Sequence, residues 1–337
     1  MPESELSIRI RTPSRLHFGL LAFGDEAPRQ FGGVGVMIDR PVTEVVAHFR
    51  GPGRLPDQPS NDAERRAYEF ADRFRHSLNS ASERDQVAGV SIRVVNSATE
   101  HVGLGSGTQL AMAVARCLVA FLGRSDRSPA QLARSVGRGR RSAIGVHGFQ
   151  MGGFVVEGGK RESDAISPLV ARMHFPEDWQ FVLVIGGSKG HHGSAEREAF
   201  ERLAPIGGEL TAKLCQLTML GMLPSIADHD YPAFAGALSE FGRRVGECFA
   251  AQQGGTYTSP LAGVVLDTLA RYGVHGVAQS SWGPTLAAVC DSRFRAEWIA
   301  ARLTSVLPAS TQIFCASPNN LGARIEVEDS PPSGLAE

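Results

Sequence analysis

The stretch Glu100–Gly123, EHVGLGSGTQLAMAVARCLVAFLG, constrains this chain more than any other. Gly103, Gly105 and Gly107 alternate with Leu104 and Ser106, Thr108 follows, and an alanine-rich segment begins at once. Leu110, Val114, Cys117, Leu118 and Phe121 recur at helical spacing, and Gly123 stands where a glycine would end the helix. A glycine turn running into a helix leaves the first backbone N–H groups without acceptors, and the helix dipole adds positive potential there. The pattern predicts an anion site whose glycines let a phosphate approach the backbone. Ser106 and Thr108 offer hydroxyls to phosphate oxygens or to a hydrated Mg²⁺. The spacing is neither G-x-x-x-x-G-K-[ST] nor G-x-G-x-x-G, so it indicates phosphate without naming a nucleotide.

A chain of 337 residues has room for two domains. We place their division near residues 160–178: residues 1–170 around the glycine loop, residues 171–328 beyond it, and a disordered tail over 329–337. With 34 basic and 35 acidic residues, no global charge draws the chain to nucleic acid or to a membrane surface. The five cysteines are scattered in apolar contexts without a C-x-x-C pair, which reads as free thiols in a reducing cytoplasm. No apolar signal core opens the chain and no stretch reads as a membrane span, so a cytoplasmic location is expected.

Strands are expected at Ser7–Thr12, Gly33–Asp39, Val42–Phe49, Val87–Asn96, Phe154–Glu157, Leu169–His174 and Gln180–Ile185. Further strands are expected at Val274–Gln279, Thr285–Cys290, Gln312–Cys315 and Ala323–Val327. Asn61 with Glu64, and Ser128-Pro129 with Gln131, mark two helix starts. The charges Arg65, Arg66 and Asp72 on the first of these helices read as a solvated face. Later helices are expected at Ser194–Leu203, Glu209–Leu223, Tyr231–Gln252, Pro260–Tyr272 and Arg293–Val306. The stripe Phe234, Leu238, Phe241, Val245 and Phe249 reads as core.

Several polar groups are candidates for chemistry. Arg15 and His17 lie two apart and would share one face of an extended segment, as a pair of cations for one ligand or as a surface strand end. Arg138, Arg140 and Arg141 cluster among glycines, either to grip phosphate or as a solvated charge run, and His147 follows closely. Gly186–Gly190 matches G-x-S-x-G, but His191-His192-Gly193 separate Ser188 from any helix start, which argues against a hydrolase elbow. Lys189 and its histidine neighbours fit better as a polar loop near an anion. No metal-ligand spacing is present, so a metal would arrive as Mg²⁺ with a phosphorylated substrate. Within QSSWGPT, Ser280, Ser281 and Thr285 are placed to close over a ligand; Trp282 either stacks on an aromatic substrate or fills a domain interface.

These motifs resemble, in order, those of the GHMP kinases. Pro13–Leu20 is similar to their P-x-R motif, Gly103–Thr108 to their phosphate loop, and Ser280–Thr285 to their C-terminal turn. The resemblance implies an α+β, two-domain fold: an N-terminal domain like ribosomal protein S5 domain 2 and a ferredoxin-like C-terminal domain. PSRLHFGL, HVGLGSGTQLAMAVAR, GRGRRSAIGVHGF and VAQSSWGPT resemble more closely the β-ribofuranosylaminobenzene 5′-phosphate synthase family of methanopterin biosynthesis. That resemblance implies a decarboxylating transfer from phosphoribosyl pyrophosphate to 4-aminobenzoate or 4-hydroxybenzoate, with Mg²⁺ and without ATP. Gly103, Leu104, Gly105, Ser106, Gly107, Thr108, Arg138, Arg140 and Arg141 are then expected to bind phosphate. Ser280, Ser281 and Trp282 are expected to bind substrate, and Arg15, His17, His147 and Lys189 to serve the reacting end. Where the kinases with a catalytic aspartate have S-G-I-D, this chain has Ser142-Ala143-Ile144-Gly145, so the base of a kinase is missing. An ATP-dependent small-molecule kinase is the alternative enzyme, and a ligand-binding protein without turnover the alternative of another class. Only small-molecule substrates are expected as partners; the chain admits a homodimer without specifying one.

Overall fold

The computed structural model describes residues 5–24, 27–49, 51, 56–124, 127–186, 198 and 202–330. Two long antiparallel strands, β1 (Glu5–Ala22) and β2 (Phe31–Phe49), form the spine of the first sheet. β3 (Val90–Asn96) pairs with the second half of β2, and β4 (Phe154–Glu157) with its first half. β5 (Leu169–Met173) extends the sheet beyond β4, and β10 (Arg324–Ser330) closes the other side against β1. The two strands expected on either side of Arg40-Pro41 are therefore one. Pro41 falls where β1 and β2 shift register, between the pairs Ser14–Ile38 and Thr12–Thr43, so its missing N–H breaks no ladder bond.

That register shift orients the site. Before it, Ile8 and Ile10 pack among helices α1 (Asp62–His76), α3 (Ser106–Phe121) and α4 (Pro129–Ser135). After it, Leu16, Phe18 and Leu20 pack on the opposite side, in a core shared with Phe154, Phe175, Trp179 and Phe241. The odd-numbered Arg15 and His17 are thereby turned toward α3 and toward α5 (Ile144–Met151).

Local chemistry explains the helix ends. The Asn61 side chain accepts the Glu64 N–H, and Ser128 with Gln131 forms a complete capping box. Gly123, at φ +65°, follows the end of α3 as expected. Two helices escaped the sequence pattern. α2 (Ala81–Ala88) occupies the start of the stretch expected as strand Val87–Asn96. α5 contains Gly145 and Gly148, residues that argue against helix by propensity; a β-carbon at Gly148 would lie 2.2 Å from Met37 Sδ, so close approach to β2 requires the glycine.

The second sheet has the order β7 (Val277–Gln279), β8 (Leu286–Cys290), β6 (Gln180–Ile185), β9 (Gln312–Ala316), all antiparallel. That is the strand order of a ferredoxin-like unit. α9 (Ala262–Arg271) and α10 (Arg293–Val306) cover one face through Val265, Leu269, Ile299 and Leu303. α8 (Tyr231–Gln253) covers the other, and its Phe234, Leu238 and Phe241 join the core between the sheets. α6 (Gly208–Gln216) runs through a π-helical turn, Leu217–Met222, into α7 (Leu223–Ala227). By length and composition alone this 20-residue helix could cross a membrane, yet one of its faces is built into the protein. Leu214, Thr218 and Met222 are buried, and the π-helical turn packs against α8. β10 reaches two residues into the segment expected as a tail; residues 331–337 lie outside the described residues.

Candidate functional site

A cavity of about 470 Å³ lies at the meeting of β1, the start of α3, the arginine segment before α5, α8 and the turn after β7. The glycine loop is held from behind. Arg15 N–H donates to Leu104 O (2.9 Å), and the Ser280 hydroxyl donates to Gly103 O (2.7 Å). The Thr285 hydroxyl donates to Val102 O (2.5 Å). Gly103 is needed because a β-carbon there would lie 2.2 Å from Ser280 O. Gly105, in the left-handed region at φ +74°, caps α3, and Thr108 and Gln109 N–H both return to its carbonyl. The Ser106 and Gly107 amides precede the first helical bond, as an anion site at a helix start requires.

Cations converge on this loop. The position of a β-carbon on Gly105 lies 3.2 Å from Arg15 Nε, and that on Gly107 lies 2.9 Å from Arg66 Nη2 and 3.1 Å from Arg138 Nη2. The Arg138 guanidinium also lies over the Phe70 ring, 4.8 Å from its centre. Arg140 and Arg141 line the same cavity, Arg140 from its exposed rim. Arg66 corrects the sequence reading. Its side chain is half-buried and ion-paired to Glu100, and is not part of a solvated face. Nothing in the local sequence marks it; only the packing of α1 against α3 brings it to the loop.

The opposite wall is apolar. Trp282 is 6% exposed and meets the Phe249 ring edge-to-face, 4.8 Å between centres. Val245, Phe249 and the glycines at 242 and 246 of α8 complete this wall, so the inner end of the stripe read as core lines the cavity as well. Gly242 and Gly246, four apart on one helix face, answer to packing: a β-carbon there would lie 3.0 Å from Ala278 Cβ and 2.3 Å from Thr256 O respectively. Ser281 lines the cavity, and its N–H donates to His17 O (2.8 Å). Ser280 is fully buried behind it, accepting the His17 N–H (3.0 Å).

His17 lines the cavity, and burial, reinforced by the Arg15 charge, holds its imidazole well below the usual histidine range. His147 does not reach the cavity: it is buried on α5 with Nε2 at 2.9 Å from Ser167 O, and burial lowers its pKa. Lys189 lies outside the described residues, as do His191, His192 and most of the helix expected at Ser194–Leu203. Gly145 O accepts from Gln109 Nε2 (2.8 Å), tying α5 to α3. Thus Arg15, His17, Thr108, Arg138, Arg140, Arg141, Ser281 and Trp282 meet around one cavity with two unlike walls, one cationic and one aromatic.

Residues 65–153 match the family model of the GHMP kinase N-terminal domain, and residues 222–309 that of the GHMP kinase C-terminal domain. The fold is similar to that of homoserine kinase from Cytophaga hutchinsonii, with a TM-score of 0.65 at 18% identity over 95% of this chain and 97% of that one. It is also similar to mevalonate diphosphate decarboxylase from Enterococcus faecalis, with a TM-score of 0.64 at 15% identity over 97% of this chain and 100% of that one. Fold and site together define a protein of the GHMP kinase class.

In sequence the chain is 32% identical to β-ribofuranosylphenol 5′-phosphate synthase of Archaeoglobus fulgidus, over 85% of this chain and 88% of the relative. It is 29% identical to the protein of the same name from Methanothermobacter thermautotrophicus, over 86% and 90%. The chain belongs to the β-ribofuranosylphenol 5′-phosphate synthase family, whose members are pentosyltransferases.

Proposed function

We propose that this protein joins phosphoribosyl pyrophosphate to 4-hydroxybenzoate or 4-aminobenzoate and releases CO₂ and pyrophosphate, in methanopterin biosynthesis. The observation that carries this reading is the two-walled cavity, lined by Thr108 at the helix start and Arg15, Arg138, Arg140 and Arg141 on one side and by Trp282 and Phe249 on the other. The relatives are named as synthases of a ribofuranosylphenol 5′-phosphate, which favours the hydroxylated acceptor.

The leaving pyrophosphate belongs on the cationic wall. Backbone N–H groups at Ser106 and Gly107, with Arg15 and Arg138, stabilise its growing charge as the ribose C1 bond lengthens. Arg140 and Arg141 serve the 5′-phosphate or the carboxylate of the acid. The aromatic wall lays the acceptor ring beside C1, so that the carbon bearing the carboxylate attacks. Loss of CO₂ then restores the aromatic ring. Among the described residues no group of three His, Cys, Asp or Glu is placed for a metal, so Mg²⁺ would travel on the donor's phosphates, assisted by the Thr108 hydroxyl. All five cysteines are free, which supports the cytoplasmic location proposed here.

The test is release of labelled CO₂ from carboxyl-labelled 4-hydroxybenzoate and 4-aminobenzoate, with phosphoribosyl pyrophosphate, Mg²⁺ and no ATP. Release should require the donor, because the free acid has no electrophile to attack. Pyrophosphate without CO₂ would mark an ordinary phosphoribosyltransferase, and ATP-dependent phosphorylation of a small alcohol would restore the kinase alternative.

A further inference from the structure

Glu157 takes no part in the site described so far. It ends β4, is fully buried, and its Oε2 accepts the Ala143 N–H (2.6 Å) at the start of α5. Its Oε1 is buried and makes no hydrogen bond of good geometry, although the Ser142 and Ser167 hydroxyls lie close to the carboxyl. His17, 5% exposed, presents an Nε2 that is equally buried and has no hydrogen-bond partner. Between them on β2 lies Gly33. A β-carbon there would lie 3.0 Å from His17 Nε2 and 3.3 Å from Glu157 Oε1, with Gly19 O at 2.9 Å. A side chain at residue 33 would separate the two groups; glycine leaves them around one small space. Two under-satisfied polar atoms converging in an interior require a role, since buried polar groups are normally paired.

We propose that His17 and Glu157 form a couple that takes up the proton of the acceptor's para hydroxyl or amino group, with His17 touching the acceptor and Glu157 positioning and charging His17 from behind. This rests on the decarboxylating transfer proposed above. As the ring carbon bonds to C1, the bond from C1 to pyrophosphate oxygen breaks. The para oxygen or nitrogen pushes its electron pair into the ring, and its proton passes to His17 Nδ1, because Nε2 is buried on the Glu157 side of the imidazole. When the bond to the carboxylate breaks, its electron pair returns to the ring, CO₂ leaves, and the couple gives the proton back. No net proton is gained or lost by the protein.

The surroundings suit this exchange. Burial raises the Glu157 carboxyl above the ordinary carboxylate range, against the opposing influence of the Ser142 and Ser167 hydroxyls, the Ala143 N–H and the Arg15 charge. Burial and Arg15 keep His17 neutral. The other titratable groups near the couple are accounted for. His147 of α5 is held by Ser167 O, and Arg29, which lines a neighbouring cavity with Glu157, is held by Gly159 O and Asp164. The couple rests with His17 neutral; one further proton fills it, and the two groups titrate as a unit. Activity should fall as pH drops through the apparent pKa of that unit.

Glu157→Gln tests the idea because its amide oxygen still accepts the Ala143 N–H, so a purely capping role survives the change. The expected result is an unchanged melting temperature, inorganic pyrophosphate bound as by the wild type in calorimetry, kcat lower by about 10²-fold or more, and loss of the acidic limb of the kcat profile. Unchanged kcat with the acidic limb intact overturns the proposal. So does a parallel fall in melting temperature, pyrophosphate affinity and kcat, which would mark a structural group. If Glu157→Gln does not fold, Glu157→Asp decides: its acidic limb should move, and an unmoved limb overturns the proposal. A wild type that releases no CO₂ from either benzoate fails the parent reading before any variant is compared.

Discussion

Gly107 and Gly105 stand two residues apart in one loop, yet replacing each with alanine should do different things. Gly107 lies in the first turn of α3 with ordinary helical backbone, and a β-carbon there would meet only the tips of two flexible side chains, Arg66 Nη2 at 2.9 Å and Arg138 Nη2 at 3.1 Å. Carbon makes comfortable non-bonded contact at about 3.5–4.0 Å, so each guanidinium must withdraw by roughly half an ångström to one ångström. The helix loses nothing: alanine is better than glycine by up to about 1 kcal/mol in a helix. A charge-assisted hydrogen bond is worth about 1.5–3 kcal/mol, so displacing one guanidinium from an anion should weaken binding about ten- to hundred-fold. Gly105→Ala instead forces a β-carbon onto φ +74° and against Arg15, at about 1–2 kcal/mol for the backbone alone.

The assay pairs calorimetric titration of inorganic pyrophosphate and phosphoribosyl pyrophosphate with thermal melts. Gly107→Ala should bind both anions weakly while melting at or above the wild-type temperature. Gly105→Ala should melt several degrees lower. If Gly107→Ala melts normally and binds pyrophosphate as tightly as the wild type, the two arginines do not hold the anion and the site lies elsewhere.

Trp282→Ala should raise the KM for the aromatic acid and destabilise the fold by about 3–5 kcal/mol in denaturant melts, whereas Trp282→Phe should keep most of both, because an aromatic ring still faces Phe249. Glu64 is held below its ordinary pKa because hydrogen bonds from Ser60 and Val94 outweigh its burial. Its stabilising contribution is complete above the unfolded value and is lost as pH falls through the folded one; Glu64→Gln should flatten the acid side of a stability-versus-pH curve measured by denaturant titration. Gly145→Asp should fold, weaken pyrophosphate binding in calorimetry and give no ATP-dependent phosphorylation; restored kinase activity would refute the view that glycine there marks lost kinase chemistry.

Features decided by neighbouring residues were legible in the chain. The Asn61–Glu64 and Ser128–Gln131 caps, the glycine loop with its helix, and the short buried strands β4 and β6 all carry their cause within a few residues. What was hidden depends on contacts between distant segments. α5 uses Gly148 to approach Met37, so a residue that lowers helix propensity is there for packing. Arg66 looks like any charge on a capped helix until α1 is laid against α3. Glu157 reads as the polar end of a strand, and only the pairing of Gly33 with it across β2 and β4 shows that it is buried beside His17. The face exchange at the β1–β2 register shift also has no local signature beyond Pro13 and Pro41, yet it alone turns Arg15 and His17 to the cavity.

Gly145 shows why fold and chemistry must be argued separately in this class. A β-carbon at that position would find ordinary contacts, 3.4 Å to Gln109 Nε2 and Thr108 Cγ2 and 3.6 Å to Arg15 Cδ. Packing therefore does not demand the glycine, and α5 would gain helix propensity from almost any other residue. What a carboxylate would change is electrostatic: it would stand beside Arg15 and neutralise a cation needed by a departing pyrophosphate. A kinase accepts that cost because its nucleophile is a hydroxyl that must lose a proton beside the phosphate. In the proposed transfer the nucleophile is a ring carbon, and the proton to be moved leaves from the far side of the ring. The carboxyl that suits such a reaction lies away from the phosphates and behind a neutral imidazole, which is where Glu157 is found.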